Sequence, residues 1–191
     1  MSRDIRGACA LYYSYQVKGA DGRIKVPFRR RTAHSFLIAY ARLLYLKMAG
    51  PVEETITDTG GTGRSVESTT TWLAISAAAD STFGLVVGTG TNTVALADNK
   101  LQTQIAHGTT AGTLDYGASV IALPSSDSTS TSLILTRVFA NSSGGAITVR
   151  EIGAYIQDRS NFEYCIVRDL ATIALAIGDQ LTLNYILKTT A

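Results

Sequence analysis

Apolar and polar residues alternate in short runs over the second half of the chain, and small-residue turns separate the runs. The pattern is clearest where RVFANSSGGAITVREIGAYI is followed by CIVRDL and then by GDQLTLNYIL. A period of two predicts half-buried strands. The predicted strands are 71–76, 83–90, 116–123, 131–140, 146–156, 162–168 and 180–188. Strands at this spacing indicate an antiparallel sandwich or barrel.

The first thirty residues predict a β-hairpin. Residues 8–17, ACALYYSYQV, are rich in aromatic and aliphatic side chains, and residues 23–28, RIKVPF, provide a second short strand. The GADG segment at 19–22 lies between them, and an Asp-Gly pair between two such runs is typical of a hairpin turn. The flanking residues favour a four-residue loop over a tight turn.

Residues 32–49 change to a helical pattern, in which apolar residues recur three and four positions apart. Thr32 or Ser35 can cap the start of this helix, and Gly50-Pro51 ends it. Apolar side chains cover more than one side of the helix, which favours partners on more than one side. The residues that carry the spacing are Phe36, Tyr40, Leu43, Leu44 and Lys47.

These elements predict a mainly β protein with an antiparallel, jelly-roll-like β-sandwich body, an N-terminal hairpin arm and one α-helix. We divide the 191 residues into a basic N-terminal part at 1–50, a linker loop at 51–65 and the sandwich body at 66–191. Residues 52–58 within the linker could form a strand. A body of this size buries enough apolar surface to fold without disulfides or metal ions.

Charge divides the chain in the same way. Residues 1–50 contain ten Lys and Arg against two acidic residues, whereas residues 51–191 contain seven against thirteen. The strongest cluster places five cations within nine residues: Arg23, Lys25, Arg29, Arg30 and Arg31. Such a cluster can bind the acidic surface of a neighbouring copy, can bind nucleic acid phosphates, or can remain a solvated surface. The acidic body favours the first of these interpretations.

Catalytic and cofactor motifs are missing from the sequence. The glycine clusters at 61–65 and 87–92 lack the spacing and the lysine of a phosphate-binding loop, so we expect Gly88 and Gly90 to permit close backbone approach at a strand end. His34 and His107 accompany no nucleophile motif. No acidic repeat suits calcium. We therefore predict a protein that is not an enzyme and that uses no cofactor and no metal ion.

Glu151 stands apart from the scattered acidic residues because it lies within a predicted strand. We expect it to form a structural ion pair with Arg137, Arg150 or Arg168. Cys9 and Cys165 are far apart and match no metal-binding spacing, which predicts two free, buried thiols in a reducing cytoplasm.

The start of the chain contains charges but no secretory signal. The longest apolar stretch, 36–48, is interrupted by Arg42 and Lys47 and is shorter than the roughly 20 residues of a membrane span. The expectation is a soluble protein without a membrane segment.

Several of these segments together resemble tailed-bacteriophage virion proteins. The shared pattern runs through FGLVVGTGTNTVALADNKLQ, then ITVREIGAYI, then CIVRDL, and ends with GDQLTLNYIL. In that family a GxGT segment precedes an Asp and a Leu, a strand carrying E-I-G-A/L-Y follows, and an Arg strand and a final G-D-x-L strand close the pattern. SFLIAYARLLYLKM is similar to the helix that precedes the β body in such proteins. The resemblance covers roughly residues 35–188.

The resemblance implies a repeated structural subunit of the tail, neck or capsid surface, including fibre-adaptor and decoration components. Such a subunit is assembled in the host cytoplasm into the virion, where its partners are copies of itself and other virion proteins. We predict an assembly interface formed by Arg23, Lys25, Arg29, Arg30, Arg31, Phe36, Tyr40, Leu44 and Tyr45. The alternatives are a carbohydrate- or host-receptor-binding module and a nucleic-acid-binding protein that uses the basic residues.

Overall fold

The structure, a computed structural model, describes residues 9–33, 36–50 and 52–190. This part of the chain forms eleven strands and one helix, and 53% of the protein is strand. The elements, in chain order, are β1 Cys9–Lys18, β2 Ile24–Thr32, α1 Ile38–Met48, β3 Glu53–Thr57, β4 Gly63–Glu67, β5 Gly84–Gly88, β6 Asp115–Ile121, β7 Ser125–Ser126, β8 Ser130–Ala140, β9 Ile147–Gln157, β10 Glu163–Leu175 and β11 Gln180–Thr190.

Two antiparallel sheets pack together. The larger one, sheet A, has the strand order β2-β1-β11-β8-β6, and the short β7 also pairs with β8. Sheet B has the order β10-β9-β5, and β3 and β4 form a separate two-stranded hairpin. The mainly β, sandwich-like architecture predicted from the alternating pattern is confirmed.

The main core lies between sheets A and B. Strand β1 contributes Tyr13, Tyr15 and Val17, and every second residue of this strand therefore faces inward. Towards the opposite edge of sheet A, Tyr116 of β6 and Phe139 of β8 pack edge to face in the same core, with their ring centres 4.8 Å apart. Burying one such large apolar side chain contributes about 1.5–3 kcal/mol. The core therefore depends on strands from both ends of the chain.

The N-terminal hairpin belongs to sheet A. Strand β1 pairs with β11 over ten residues, from Cys9 opposite Thr189 to Lys18 opposite Gln180, and it pairs with β2 on its other side. We predicted an arm separate from the body at 66–191, but the hairpin instead completes the sheet that covers the core. The physical reason is burial, because the inner side of β1 is apolar and needs the core.

Helix α1 begins at Ile38, six residues later than predicted. Thr32 is the last residue of β2, and Ser35 lies outside the described residues. The Leu37 amide donates a hydrogen bond to the Ile166 carbonyl of β10 at 2.9 Å, so the chain is held by sheet B before the helix starts. No side chain caps the first turn. Gly50, with φ +88°, follows the helix as predicted.

The helix and the β3–β4 hairpin enclose a second, smaller core. Ala39, Leu43 and Leu46 of the helix are buried against the hairpin and one end of sheet B. The partners in that cluster are Ile56, Val66, Ile156 and Tyr164. Residues 53–67 therefore form a hairpin with its own buried side: the possible strand at 52–58 is confirmed as β3, whereas the part predicted as loop contains the start of β4.

Segment 71–76 does not form the predicted strand. Leu73 alone exchanges two hydrogen bonds with Gln157 of β9, both at 2.9 Å. Strand β5 already occupies that edge of β9 as far as Tyr155. The rest of the segment therefore finds only the last residues of β9 free, and it crosses the end of the sheet as irregular chain.

Candidate functional site

The predicted basic cluster lies along one open edge of the sandwich. Strand β2 is the outer strand of sheet A, and eight of its nine residues are exposed, Val26 being half-buried. Arg23 stands in the turn before the strand, Lys25 near its start, and Arg29, Arg30 and Arg31 near its end. The structure therefore brings these five cations together on one strand and its turn.

Lys25 differs from the other cations because a carboxylate of the same chain holds it. Its Nζ lies 2.7 Å from Oδ1 of Asp179, which is nearly buried in the turn between β10 and β11. The other oxygen of Asp179 accepts the Ala176 amide at 3.0 Å. Lys25 therefore ties the hairpin to a distant turn, and its charge is largely neutralised within the chain.

Two of the three consecutive arginines rest on tyrosines of β1. The Arg30 guanidinium lies 4.7 Å from the centre of the Tyr12 ring, and the Arg31 guanidinium lies 4.8 Å from that of Tyr15. Arg31 also donates to the Tyr15 hydroxyl at 3.0 Å. Each exposed contact of this kind contributes about 0.5–1 kcal/mol. Arg29 makes no ion pair or ring contact with any residue that the structure describes.

An exposed edge strand offers unpaired backbone groups to other chains, and charged residues and proline reduce that risk. Strand β2 has both, because Pro27 removes one backbone donor and the arginines would repel the same strand of another copy. These features prevent β2 from pairing with itself. They leave the strand suited to a partner that carries negative charge.

A second candidate surface is an apolar groove beside helix α1. The Phe36 and Tyr40 rings stack 3.8 Å apart, nearly parallel, over an apolar cavity of about 130 Å³ between the two sheets. A neighbouring depression of about 230 Å³ is also lined by Tyr40 and Ile166, together with Leu44 and Trp72. The two depressions form one surface, which we call the helix groove.

Further apolar side chains lie on the outer side of the helix. Tyr45 is 50% exposed and Met48 is 78% exposed, and neither lines the helix groove. Ile38 and Leu44 are each 47% exposed. The helix therefore buries one side in the smaller core and presents apolar residues to solvent on others, as the sequence pattern predicted.

Glu151 forms the predicted ion pair, and its partner is Arg168 of the adjacent strand. The Arg168 Nε lies 3.0 Å from Glu151 Oε2, and its Nη1 lies 2.6 Å from Asp98 Oδ2. Burial lowers the pKa of Arg168, but its hydrogen bonds to Asp98 and Glu151 raise it by more, so the pKa lies above its ordinary value. The guanidinium is therefore a permanent cation here.

The same carboxylate also anchors a long loop. Glu151 accepts the backbone N–H groups of Gly90, Gln102 and Thr103 at 3.0, 2.9 and 2.7 Å. A Cβ at Gly90 would collide with the Glu151 carboxylate, and one at Gly88 would collide with the Thr103 carbonyl. The predicted close approach at these glycines is confirmed.

The residues that carry the resemblance therefore meet in one cluster, where Gly88, Gly90, Asp98, Glu151 and Arg168 fasten residues 89–104 to sheet B. Every residue from 151 to 156 is buried. The chain's own loop covers one face of this strand and brings the amide donors that the buried Glu151 carboxylate needs.

A second buried arginine donates its hydrogen bonds to backbone carbonyls in the described structure. Arg137 of β8 is fully buried, and burial lowers the pKa of its guanidinium. It donates to the carbonyl oxygens of Ala77, Asp80, Phe83, Leu85 and Gly117. The guanidinium also lies 4.7 Å from the Tyr116 ring centre. Arg137 thus holds the segment before β5 against sheet A, a structural role.

The remaining candidates for chemistry also have structural surroundings. His34 lies outside the described residues. The Nδ1 atom of His107 accepts the Tyr116 amide at 3.1 Å, so this nitrogen is engaged with the backbone of β6. Across residues 9–33, 36–50 and 52–190, no group of three His, Cys, Asp or Glu could hold a metal ion.

The two cysteines are both free, but only one is buried. Cys165 is inaccessible, and burial raises the pKa of its thiol. Cys9 was predicted to be buried, but it is exposed because it is the first residue of β1 and lies at the end of the sheet. Neither position suits a nucleophile, because the first is protonated and shielded and the second has no activating base among its described contacts.

Trp72 does not form an exposed aromatic platform. Its ring packs edge-on against Tyr164 at 5.7 Å, and Lys47 lies 5.8 Å from its centre. Its indole nitrogen is buried without a hydrogen-bond partner in the described structure. The one tryptophan therefore completes the smaller core.

No protein-family model, curated protein or solved structure matches this chain. Among the described residues, helix α1 is too short to cross a bilayer, and no other segment forms an apolar helix of spanning length. The surfaces described above therefore carry the functional argument.

Proposed function

We propose that this protein is a non-enzymatic structural subunit of a bacteriophage particle, located in the tail, the neck or the capsid surface. Its partners are further copies of itself and other virion proteins. The observation that carries the proposal is a two-sheet sandwich with two exposed surfaces that the described residues leave uncovered. These surfaces are the basic strand β2 and the helix groove.

The interior of the molecule supports a structural role. Its buried charged groups are spent on holding loops: Glu151 and Arg168 hold residues 89–104, and Arg137 holds the segment before β5. Buried groups held by several hydrogen bonds make the interior rigid and specify one arrangement of the loops. The exposed surface, in contrast, offers charge and apolar area, which are what subunit contacts use.

Repetition makes modest contacts sufficient. Burying apolar area contributes about 25 cal/mol per Å² before association entropy is subtracted. A subunit held by several neighbours gains avidity from each of them. The basic strand would govern orientation and encounter rate, while the helix groove would supply apolar contact area.

The test is to purify phage particles from a lysate and search them for this polypeptide by mass spectrometry and by electron cryomicroscopy. We expect a fixed, multiple copy number per particle and density that fits a two-sheet sandwich. Absence of the polypeptide from particles, or turnover of a substrate by the pure protein, would refute the proposal.

A further inference from the structure

An acidic recess lies at the open end of the β3–β4 hairpin. Glu53 and Glu67 are directly opposite each other across the two strands, and both are exposed. They flank a depression of about 180 Å³ whose wall includes Val52. Like charges in directly opposed positions destabilise a strand pair. The fold therefore maintains an unfavourable pair of carboxylates at an accessible position.

The described residues neutralise neither carboxylate. Glu53 accepts only the Ser65 hydroxyl, at 2.8 Å, and Glu67 accepts the Thr69 hydroxyl, at 3.1 Å. Two cations lie near these residues along the chain, but the Lys47 Nζ donates to the Ser68 and Thr70 carbonyls, and Arg64 pairs with Asp58. The ion pairs of the described structure do not include either glutamate. The recess thus presents two carboxylates that form no ion pair with any described residue.

The basic strand has the opposite character. Arg29 has no ion-pair partner in the described structure, and Arg30 contacts only the Tyr12 ring. Each charged group also has an apolar neighbour: Phe28, 45% exposed, precedes Arg29, and Val52 lines the recess beside Glu53. Aromatic residues, Met and Arg are the types enriched in protein interfaces.

The two patches cannot satisfy each other within one molecule. Strand β2 is the outer edge of sheet A, whereas the β3–β4 hairpin packs on helix α1 and on the end of sheet B. A second copy can bring them together. A guanidinium is suited to this contact because its planar fork binds carboxylates with two parallel hydrogen bonds.

We propose that copies of this chain associate head to tail, with Arg29 and Arg30 of one copy bound at the Glu53–Glu67 recess of the next. This inference rests on the proposed function and names the contact by which the subunits associate. Each contact uses the basic strand of one copy and the recess of the next, so it is heterologous and generates a ring or an open filament, whereas a two-fold dimer would have to engage both pairs in a single interface.

Charge reversal tests the contact. The strand variant carries Arg29→Glu and Arg30→Glu, and the hairpin variant carries Glu53→Lys and Glu67→Lys. All four positions are exposed, so both variants should fold normally. Association is measured by light scattering and sedimentation velocity at low salt. Each variant alone juxtaposes like charges and should associate at least about tenfold more weakly than the unmodified protein.

The decisive arm is the equimolar mixture of the two variants. Each strand then faces a hairpin of opposite charge, so association should return. A control variant carries Arg150→Glu and Arg159→Glu, at two exposed positions in and next to sheet B. It changes the net charge of the protein by the same amount as the strand variant does. It should associate as the unmodified protein does.

Normal association of the hairpin variant would overturn this contact, as would failure of the mixture to recover, or a monomeric unmodified protein. Association lost on adding a chelator would also overturn it, because the carboxylates would then hold a divalent cation. Incorporation into particles is scored separately. Particles that contain the hairpin variant at the normal copy number would leave the proposed function intact and refute only this contact.

Discussion

The arginines of this protein fall into two groups that the fold uses in different ways. Arg137 and Arg168 are buried, and each of their hydrogen bonds in the described structure goes to a carbonyl or a carboxylate oxygen. Arg29 and Arg30 stand on an exposed strand, where one has no partner in the described chain and the other has only a ring. The comparison separates the cations that maintain the fold from those that remain available to another molecule.

The difference follows from desolvation. A buried cation without partners costs several kcal/mol, so an interior arginine must bring its partners with it, and those partners become fixed loops. An exposed arginine keeps its hydration and contributes little to stability. Charge on the strand can therefore be changed freely, whereas charge in the interior cannot.

The largest expected effect comes from removing residues 1–31. The deletion takes Tyr13, Tyr15 and Val17 out of the core and removes one of the two strands that pair with β11, so we expect no cooperatively folded protein. Near-ultraviolet circular dichroism and a thermal melt would measure this. The full-length variant with Arg29, Arg30 and Arg31 all changed to Ala is the control and should fold. A truncated chain that melts like the full one would show that the hairpin is a dispensable arm.

Glu151→Ala, which removes one carboxylate partner of Arg168, should be the most destabilising single substitution among the buried charged residues. It leaves the Arg168 charge partly unpaired and three backbone amides without an acceptor, which costs about 3–5 kcal/mol of unfolding free energy. Urea denaturation measures the loss. Glu163→Ala on the neighbouring strand removes only a bond from Gln157 and should be nearly neutral. Equal losses in the two variants would contradict the anchoring role of Glu151.

Gly90→Ala tests the same anchor from the backbone side. The new methyl group would collide with the Glu151 carboxylate and with Gln102, so the loop must shift, at a cost of about 1–3 kcal/mol. Gly144→Ala is the matched control because its Cβ would meet open space. The same urea titration compares them, and similar stabilities would mean that the loop is not tightly held.

Asp58 links the charge comparison to pH. Burial raises the pKa of Asp58, but hydrogen bonds from Arg64 and from the Thr62 amide lower it by more, so the pKa lies below its ordinary value. A depressed carboxyl pKa stabilises the fold above the unfolded value of about 3.9, and the contribution disappears as pH falls through the folded value. Asp58→Asn should cost about 1–2 kcal/mol at neutral pH.

The pH series supplies the control for this variant. The stability difference between Asp58→Asn and the unmodified protein should be constant above pH about 5 and should shrink in strong acid. Unfolding free energies measured between neutral pH and acid test this. A difference that does not change with pH would mean that Asp58 acts through its shape and not through its charge.

The smallest effect on stability should come from Arg29→Ala combined with Arg30→Ala. Only the contact of Arg30 with Tyr12 is lost, so the unfolding free energy should change by no more than about 1 kcal/mol. Sedimentation should nevertheless show weaker self-association. Lower stability with unchanged association would reverse the comparison between the two arginine groups.

Much of the fold could be predicted because its strands alternate cleanly. Strands β8, β9 and β11 were predicted to within two residues at either end, since each is an apolar-rich run that begins after a small-residue turn. The local sequence pattern does not show, however, which strands pair with each other. Nothing in residues 8–17 indicates that this strand pairs with the last strand of the chain. The hairpin was therefore expected outside the body.

The candidate site was predictable only in part, for the same reason. The basic run was visible as a run, but the Lys25–Asp179 pair joins residues 154 positions apart and could not be inferred from spacing. Glu151 was expected to pair with one of three arginines, and only the adjacency of β9 and β10 selects Arg168. The Glu53–Glu67 recess depends on the register of a hairpin that was predicted as a loop.

The pairing of the first strand with the last also has a consequence for timing. During synthesis β1 leaves the ribosome early but has no neighbour on one side until β11 follows it, almost the whole chain later. Such long-range pairing is slow to form. Strand β2 pairs with β1, so its arginines reach their final positions only after β11 has been made. We expect the basic strand to be in place only late in folding.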